Sequence, residues 1–178
     1  MIPLSQEDIL SLRAGDAVLL SGKTLTGRDA AHKRMKAAIE AGETLPFRID
    51  GAGIYYVGPA PAGEGRAVGA AGPTTSYRMD AYAPLLMQNG LRFMIGKGDR
   101  SDAVIEAMQE HKCVYFVAVG GAAALLSKHI TESRVLAYDD LGTEAVHEFT
   151  LEDFPVIVVI DNKGNNLYDI AKEKYCTE

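Results

Sequence analysis

The order of apolar and polar positions divides the first half of the chain into short helices and strands. Ser5, followed by two acidic residues and apolar residues at 9, 10 and 12, predicts a short capped helix. Residues 16–21 predict a strand, and the next helix extends from Gly27 to a stop at Gly42. Residues 51–72 are rich in Gly, Pro and Ala, which predicts one or two short strands joined by tight turns.

The second half alternates strands and helices more regularly. The pattern predicts a helix over 78–89, a strand over 91–96, a helix over 101–111 and a buried strand over 113–119. A glycine turn at 120–121 leads to a short helix over 122–129, strands over 134–138, 146–151 and 155–161, and a final short helix through 168–174. Because the elements interleave without a repeat period, we predict one domain over 1–178 of the α/β or mixed class. A strict Rossmann topology does not follow.

Composition and charge narrow the class of protein. The chain has 178 residues, 47% of them hydrophobic and 24% charged, which is typical of a folded domain and not of a disordered chain. Its 18 Lys and Arg against 24 Asp and Glu give a net charge of −6. Such a balance has no excess of cations for a phosphate backbone, so general nucleic-acid binding is not predicted.

Cysteine usage and apolar run length indicate the compartment. The only two cysteines, Cys113 and Cys176, are far apart in the sequence, which is not a disulfide framework and favours a reducing environment. The N-terminus has no basic segment followed by an apolar core, and every apolar run is shorter than the roughly 20 residues of a spanning helix. We therefore expect a soluble, cytoplasmic protein that does not bind a membrane.

The sequence AGPTTSYRMD carries the sharpest chemical signal. It places Thr74, Thr75, Ser76 and Arg78 at the start of the predicted helix over 78–89. Backbone N–H groups in the first turn of a helix have no intrahelical partner and carry positive potential, so a carboxylate or phosphate is the natural ligand. The alternative is that Thr75 or Ser76 only caps the helix and that Arg78 lies on the surface.

Arg28 begins another helix after Thr24 and Thr26. A cation at a helix N-terminus opposes the macrodipole and costs a few tenths of a kcal/mol unless an anion compensates, which suggests a functional role. The alternative is a solvated arginine extending from the first turn. His32, one turn further on, is expected to hold a backbone carbonyl rather than to act in catalysis.

Two glycine turns complete the candidate anion site. Lys97 lies between Gly96 and Gly98 at the end of a predicted strand, where the backbone can approach a ligand closely and Lys supplies charge. A Walker A loop needs Ser or Thr after the lysine, so a nucleotide site is only weakly indicated. The glycine turn over 118–124 lacks G-x-G-x-x-G spacing and is interpreted as close packing or as a second backbone wall of an anion pocket.

Metal ligation by this chain alone is not predicted. Its four histidines and two cysteines are scattered, and neither C-x-x-C nor H-E-x-x-H occurs. Any iron–sulfur cluster would have to lie on another chain.

Several motifs together resemble the C-terminal module of class I fumarate hydratases. They are SGKTLTGRDAAHKR, AGPTTSYRMD, IGKG and VGGAAALL, followed by the closing segment LGTEAVHEFTLEDFPVIVVIDNKGN. In two-subunit members, including L(+)-tartrate dehydratase, this module is a separate β subunit. The resemblance covers nearly the whole chain, and several motifs in the same order are more specific than any one alone.

The resemblance implies a swivelling β/β/α domain with a mixed sheet and flanking helices, and a reversible hydro-lyase reaction on a four-carbon dicarboxylate. It implies an oxygen-sensitive [4Fe-4S] cluster, held by the partner α region, that acts as a Lewis acid on the leaving hydroxyl. Arg28, Arg78 and Lys97 would bind the substrate carboxylates together with Thr75. Thr74 would abstract the proton, with the neighbouring cations stabilising its alkoxide.

We therefore expect the β subunit of a heteromeric enzyme that hydrates fumarate to malate, active only with a cluster-bearing α subunit that supplies the general acid. A higher-order oligomer of the αβ pair is expected by resemblance. The alternatives are an L(+)-tartrate dehydratase β subunit and a non-catalytic carboxylate- or phosphate-binding module. Tyr77 replaces a residue that is usually small in this family, which leaves the substrate open.

Overall fold

The computed structural model describes residues 1–118 and 123–175 of the chain, so Cys176 and the predicted glycine turn at 120–121 lie outside the described residues. Within that part of the chain the strands are β1 (Ala17–Thr26), β2 (Gly53–Tyr55), β3 (Phe93–Gly96), β4 (Val114–Val117), β5 (Ile130–Ala137) and β6 (Val146–Ile160). The α-helices are α1 (Gln6–Ser11), α2 (Asp29–Glu40), α3 (Ala83–Gln88), α4 (Asp102–His111), α5 (Ala123–Leu126) and α6 (Leu167–Tyr175). Three 3-10 helices cover Ser76–Met79, Ser127–His129 and Asp139–Glu144.

Five strands close into a barrel-like sheet. Strands β1, β2, β3 and β4 are parallel neighbours, and α2, α3 and α4 lie in the connections between them. Strand β6 pairs antiparallel with both β4 and β1, which closes the sheet, and β5 is added antiparallel to β6. This mixed six-stranded sheet with flanking helices confirms the predicted α/β class and is compatible with a β/β/α domain.

The core divides along the two faces of the sheet because successive strand residues point to opposite sides. Ile54 and Met94 belong to the buried cluster that includes Met35 of α2. Their neighbours Tyr55 and Phe93 belong to a second buried cluster, made largely of strand residues. Helices cover the first face, and the closure of the sheet encloses the second.

Strand β1 is longer than predicted. The register with β6 shifts between Leu20 and Gly22, which has a φ of +125°, and the strand continues where the sequence suggested an end. Leu25 and Thr26 then pair with β2. The extension carries β1 to the edge at which Arg28 follows.

The two strands predicted over 146–151 and 155–161 are one continuous strand, β6. Between them, Asp153 has a φ of +49°, and its N–H donates to Ser21 Oγ of β1 at 2.9 Å. Pro155 stays in register opposite Leu19. A bulge therefore bends the chain at a point where the sequence pattern suggested a break. Strand β5 likewise begins at Ile130, earlier than the predicted residue 134.

The predicted helix over 78–89 is wrong. A four-residue 3-10 helix, Ser76–Met79, comes first, and α3 begins only at Ala83. Pro84 lies in the first turn of α3 and has no N–H to donate to Asp80, so one helix cannot continue through this segment. Thr74 and Thr75 consequently precede a 3-10 turn, not an α-helix.

The remaining elements follow the predictions closely. Helices α1, α2, α4 and α6 and strands β3 and β4 lie within a few residues of the expected bounds. In α1, Ser5 Oγ accepts the Asp8 N–H at 3.0 Å, as the predicted cap requires. None of the helices in 1–118 or 123–175 has the length and apolar character needed to cross a membrane.

Candidate functional site

Three parallel strands end at one edge of the sheet, and the predicted site residues follow them there. Arg28 comes two residues after the end of β1, and Lys97 directly follows β3. Tyr56 and Gly58 follow β2, which lies between those strands. Because β1, β2 and β3 are parallel, their carboxyl ends lie side by side, where α/β sheets commonly bind ligands.

The two threonines are fixed to this edge by main-chain hydrogen bonds. The Thr74 N–H donates to Tyr56 O at 2.7 Å. Thr75 forms a parallel bridge with Lys97, and the Ser76 N–H donates to Lys97 O at 2.9 Å. The segment thus lies across the ends of β2 and β3, with Thr74 partly buried and Thr75 exposed.

A buried chain of hydroxyl groups supports the segment from below. Ser76 Oγ accepts the Lys97 N–H at 3.1 Å and lies 2.8 Å from Tyr115 Oη, which lies 2.9 Å from Gly98 O. Since a carbonyl can only accept, Tyr115 donates to Gly98 and Ser76 donates to Tyr115. Burial raises the pKa of the Tyr115 phenol, which keeps it protonated for this role.

Glycine at position 96 makes this arrangement possible. A Cβ there would collide with Ser76 Oγ and come within 3.0 Å of the Tyr56 ring. The absence of a side chain lets the threonine segment lie directly on the end of β3. The suggestion that Thr75 or Ser76 only caps a helix is therefore not supported, because Thr75 makes no side-chain cap and Ser76 bonds across to β3 and β4.

The two arginines meet at one carboxylate. Arg78 Nε donates to Asp29 Oδ1 at 2.9 Å, and Arg28 Nε lies 4.0 Å from Asp29 Oδ2. Arg28 Nη2 also lies 3.8 Å from Glu144 Oε1. The Arg28 side chain is one-quarter exposed and that of Arg78 is half exposed, so both can reach a ligand at the edge.

These contacts explain why a cation is tolerated at the start of α2. Asp29 is the first residue of the helix, and the Ala30 N–H donates to Glu144 Oε2 at 2.8 Å. The anion that was expected to offset Arg28 is thus supplied by the protein itself. The interpretation of Arg28 as a solvated surface residue is wrong, since its guanidinium lies between two carboxylates and against Gly58.

Gly58 provides the space in which Arg28 lies. A Cβ at this position would come within 2.8 Å of Arg28 Nη1 and 2.9 Å of its Cδ. Because Gly58 is two residues beyond Tyr56, the loop that holds Thr74 also contacts Arg28. The backbone of this short loop therefore links the threonine segment to the arginine pair.

His32 holds Arg28 by its main chain, as predicted. Its Nδ1 lies 2.8 Å from Arg28 O and must carry the proton, because the carbonyl only accepts. Burial lowers the pKa of His32 to about 4, so the ring is neutral near pH 7. The interaction fixes the backbone at the N-terminus of α2.

A buried ion pair lies beneath the site. Arg100 Nε donates to Asp80 Oδ1 at 2.7 Å, and the Ser101 N–H donates to Asp80 Oδ2 at 2.6 Å. The Arg100 guanidinium lies over the rings of Tyr56 and Tyr115, at 5.4 and 5.0 Å from their centroids. This pair joins the end of the 3-10 helix to the start of α4 and packs against both aromatic residues of the site.

The structure therefore brings all five sequence-predicted site residues to one edge of the sheet. Main-chain hydrogen bonds attach Thr74 to Tyr56 and the Thr75–Ser76 segment to Lys97. Arg28 and Arg78 are joined through Asp29. Cationic and hydroxyl-bearing residues brought to one edge of the sheet are suited to a carboxylate-bearing ligand.

The residues that hold this arrangement in place were not predicted from the sequence. Asp29 directly follows Arg28, and this adjacency was the available signal, whereas Asp80 pairs with Arg100, 20 positions later. Glu144 and Tyr115 gave no such signal, since they are distant in sequence from the residues they contact.

The described residues do not offer a metal centre. In the part of the chain that the structure describes, no group of three or more His, Cys, Asp or Glu side chains is placed to hold a metal ion. Cys113 is buried beside α4, and burial raises the pKa of its thiol to about 12, so it is not a thiolate ligand near neutral pH. These residues therefore do not fit an iron–sulfur cluster.

Comparison with known proteins gives consistent matches. The model of the family described as Fumarase C-terminus matches residues 2–171. Fumarate hydratase 2 of Leishmania major is 42% identical over 156 residues, which cover 86% of this chain and 28% of that protein. The anaerobic class I fumarate hydratase of Escherichia coli K12 is 40% identical over 159 residues, covering 88% and 29%.

A third relative matches this chain over nearly its own whole length. The putative L(+)-tartrate dehydratase subunit beta of Methanocaldococcus jannaschii is 33% identical over 177 residues, which cover 96% of this chain and 91% of that subunit. This chain thus spans less than a third of the two fumarate hydratases and nearly all of the tartrate dehydratase subunit.

Proposed function

Because the chain belongs to the fumarase C-terminus family, we propose that it is the β subunit of a heteromeric hydro-lyase that converts fumarate and water reversibly into malate. The fumarate hydratases named above support the reaction, since each contains a segment like this chain. The tartrate dehydratase subunit supports the separate β subunit, because it matches this chain almost from end to end.

The observation that carries the proposal is the pairing of Arg28 with Arg78 through Asp29, at the sheet edge where the Thr74 N–H bonds to Tyr56. A four-carbon diacid carries two carboxylates, and planar guanidinium groups recognise carboxylates by paired hydrogen bonds. Lys97 adds a third positive charge at the end of β3. Thr75, exposed and bridged to Lys97, would add a hydroxyl contact to the bound substrate.

Thr74 is the proposed base. In the malate-to-fumarate direction its alkoxide would take a proton from the carbon next to a carboxylate, and the electron pair of that C–H bond would form the C=C bond. The hydroxide that leaves would be protonated by an acid of the partner subunit to give water. An alcohol is a weak base at neutral pH, so the cations of Arg28, Arg78 and Lys97 are needed to stabilise the alkoxide.

The partner subunit would complete the site from its open side. We propose that it holds the [4Fe-4S] cluster, because the described residues of this chain do not fit one. It would also supply the general acid, so neither subunit would be active alone. The αβ pair is proposed to assemble further into a higher-order oligomer, and no nucleic acid or membrane takes part.

L(+)-tartrate dehydratase is the second candidate function. The specific observation in its favour is the match to a subunit of nearly the same extent. Tartrate differs from malate by one hydroxyl, and discrimination of that kind depends on a polar group that pairs with the hydroxyl. We propose that Tyr77, which is 66% exposed between Ser76 and Arg78, influences whether malate or tartrate is the substrate.

The test is to co-produce the chain with its cluster-bearing partner, purify the complex without oxygen, and compare kcat/KM for malate, fumarate and L(+)-tartrate. We expect malate and fumarate to exceed tartrate at least tenfold, and each subunit alone to be inactive. A preference for tartrate would replace the first candidate with the second. Binding of dicarboxylates without turnover of any of them would indicate a non-catalytic module.

A further inference from the structure

Asp29 makes contacts that its place in the helix does not require. As the first residue of α2, an aspartate interacts favourably with the helix dipole wherever its side chain points. The Ala30 N–H, however, is already bonded by Glu144 from the far end of the chain. The carboxylate of Asp29 instead accepts from Arg78, which lies 49 positions later in the sequence.

The contact occupies only one edge of the Arg78 guanidinium. Asp29 takes the Nε donor at 2.9 Å, so the two terminal nitrogens remain directed away from this bond. Terminal guanidinium nitrogens can bind a carboxylate end-on through two parallel hydrogen bonds. The Arg78 side chain is 51% exposed, which leaves that end accessible.

The second carboxylate oxygen of Asp29 approaches Arg28 without forming a hydrogen bond. Asp29 Oδ2 and Arg28 Nε are both buried, and within the described residues neither has a hydrogen-bond partner. They lie 4.0 Å apart, beyond hydrogen-bond distance. A buried donor and acceptor left unpaired are costly, so a small shift of either side chain or a polar group bound between them would be favourable.

From these contacts we infer that Asp29 is a positioning residue that orients Arg78, and secondarily Arg28, so that their outer nitrogens face a dicarboxylate. This inference rests on the proposed function and adds a residue to it. Asp29 lies between two guanidinium groups that would otherwise repel each other. It acts through the arginines and does not itself contact the substrate.

The test is a double-mutant cycle in the assembled complex with Asp29→Asn, Arg78→Gln and the pair. Loss of a charge-assisted hydrogen bond that orients the arginine should raise KM for malate at least about tenfold, with a smaller change in kcat. The Kd of succinate, an unreactive dicarboxylate, should rise in parallel. Because Asp29 acts through Arg78, Asp29→Asn should change KM less than about twofold in the Arg78→Gln background.

The matched control is Asp140→Asn. Asp140 forms a two-bond ion pair with Arg34, also on α2, but it is 66% exposed and belongs to no part of the proposed site. This variant should leave KM and the Kd of succinate unchanged. Asp29→Glu retains the charge and should recover part of the lost affinity, while thermal unfolding reports whether each variant folds.

Three results would overturn the inference. The first is an unchanged KM in Asp29→Asn. The second is tighter succinate binding by that variant, which would make Asp29 a competitor of the substrate. The third is that the fold-changes in KM caused by Asp29→Asn and Arg78→Gln multiply in the double variant. Inactivity of the wild-type complex toward malate would instead contradict the proposed function. In that event the succinate Kd values of the same variants would still test the positioning role.

Discussion

Ser76 Oγ and Tyr115 Oη lie 2.8 Å apart beneath the threonine segment, although the two residues are 39 positions apart in sequence. Through this contact, strand β4 supports a segment that bridges to β3. The same phenol donates to Gly98 O, so one hydroxyl group braces both the Thr74–Thr75 backbone and the Lys97–Gly98 turn. The site is therefore rigid where the proposed base and one cation are attached.

Tyr115→Phe should destabilise the protein and reduce the proposed activity. The change removes the donor to the Gly98 carbonyl and the acceptor of the Ser76 O–H, which costs about 1–2 kcal/mol. Urea unfolding measures the loss. Tyr175→Phe is the control, because Tyr175 is 72% exposed, and its stability should equal that of the wild type. Equal stabilities for both variants would argue against the hydroxyl chain.

Asp80→Asn should lower the free energy of unfolding more than Tyr115→Phe does. Arg100 is fully buried at its side chain and Asp80 is 9% exposed, so removal of one charge strands the other in the interior. We expect a loss of about 3 kcal/mol in the free energy of unfolding. Asp50→Asn breaks the Arg48 pair, whose side chains are 82% and 65% exposed, and should cost little. Similar costs for the two variants would contradict this assignment.

Gly58→Ala should weaken dicarboxylate binding without unfolding the protein. The new methyl group would displace the flexible Arg28 side chain, and it would lie 3.1 Å from Thr143 O, which has to give way by only a few tenths of an ångström. KM for malate should therefore rise about tenfold or more, because Arg28 would no longer be placed to donate a charged hydrogen bond to the substrate. Gly63→Ala is the matched control, since a Cβ there meets nothing within 4 Å. If the two alanine variants had the same KM, the Arg28 contact would be irrelevant to binding.

The free energy of unfolding should decrease as the pH is lowered, because His32 is buried in its neutral form. Burial lowers its folded-state pKa to about 4 from an ordinary 6.5, so between these values the unfolded state binds the proton more readily. The stabilisation is full above pH 6.5 and is lost as the pH falls toward 4, by about 3 kcal/mol.

The measurement for this prediction is urea unfolding at several pH values for wild type and His32→Gln. The variant should show a shallower dependence on pH. Burial also lowers the pKa of His147, but that residue is present in both proteins and cancels in the comparison. Parallel pH profiles for the two proteins would mean that His32 does not titrate as described.

The sequence was sufficient to predict the fold class, and it drew attention to candidate site residues along one edge of the sheet. Interleaved helices and strands predicted an α/β domain, and the hydroxyl-rich motif and the Lys between glycines drew attention to residues that the structure places together. These features are local in sequence, so they can be recognised without knowledge of the tertiary contacts.

What the sequence did not predict depends on contacts between distant residues. The prediction of a helix over 78–89 was wrong because Pro84 and the buried Asp80–Arg100 pair favour a 3-10 turn followed by a new helix. The length of β1 depends on its pairing with β6 on both sides of the register shift between Leu20 and Gly22. Glu144 reaches α2 across 114 positions, which no local pattern could indicate.

Thr74 is central to the proposed function, as the group that moves a proton at carbon. The decisive measurement is the incorporation of deuterium into malate when the assembled complex hydrates fumarate in D2O, for wild type and Thr74→Ala, alongside the Kd of succinate. We predict that Thr74→Ala loses about a thousandfold in incorporation rate while its succinate Kd stays within about threefold. Incorporation within tenfold of wild type, or equal loss of succinate binding and turnover, would contradict the account.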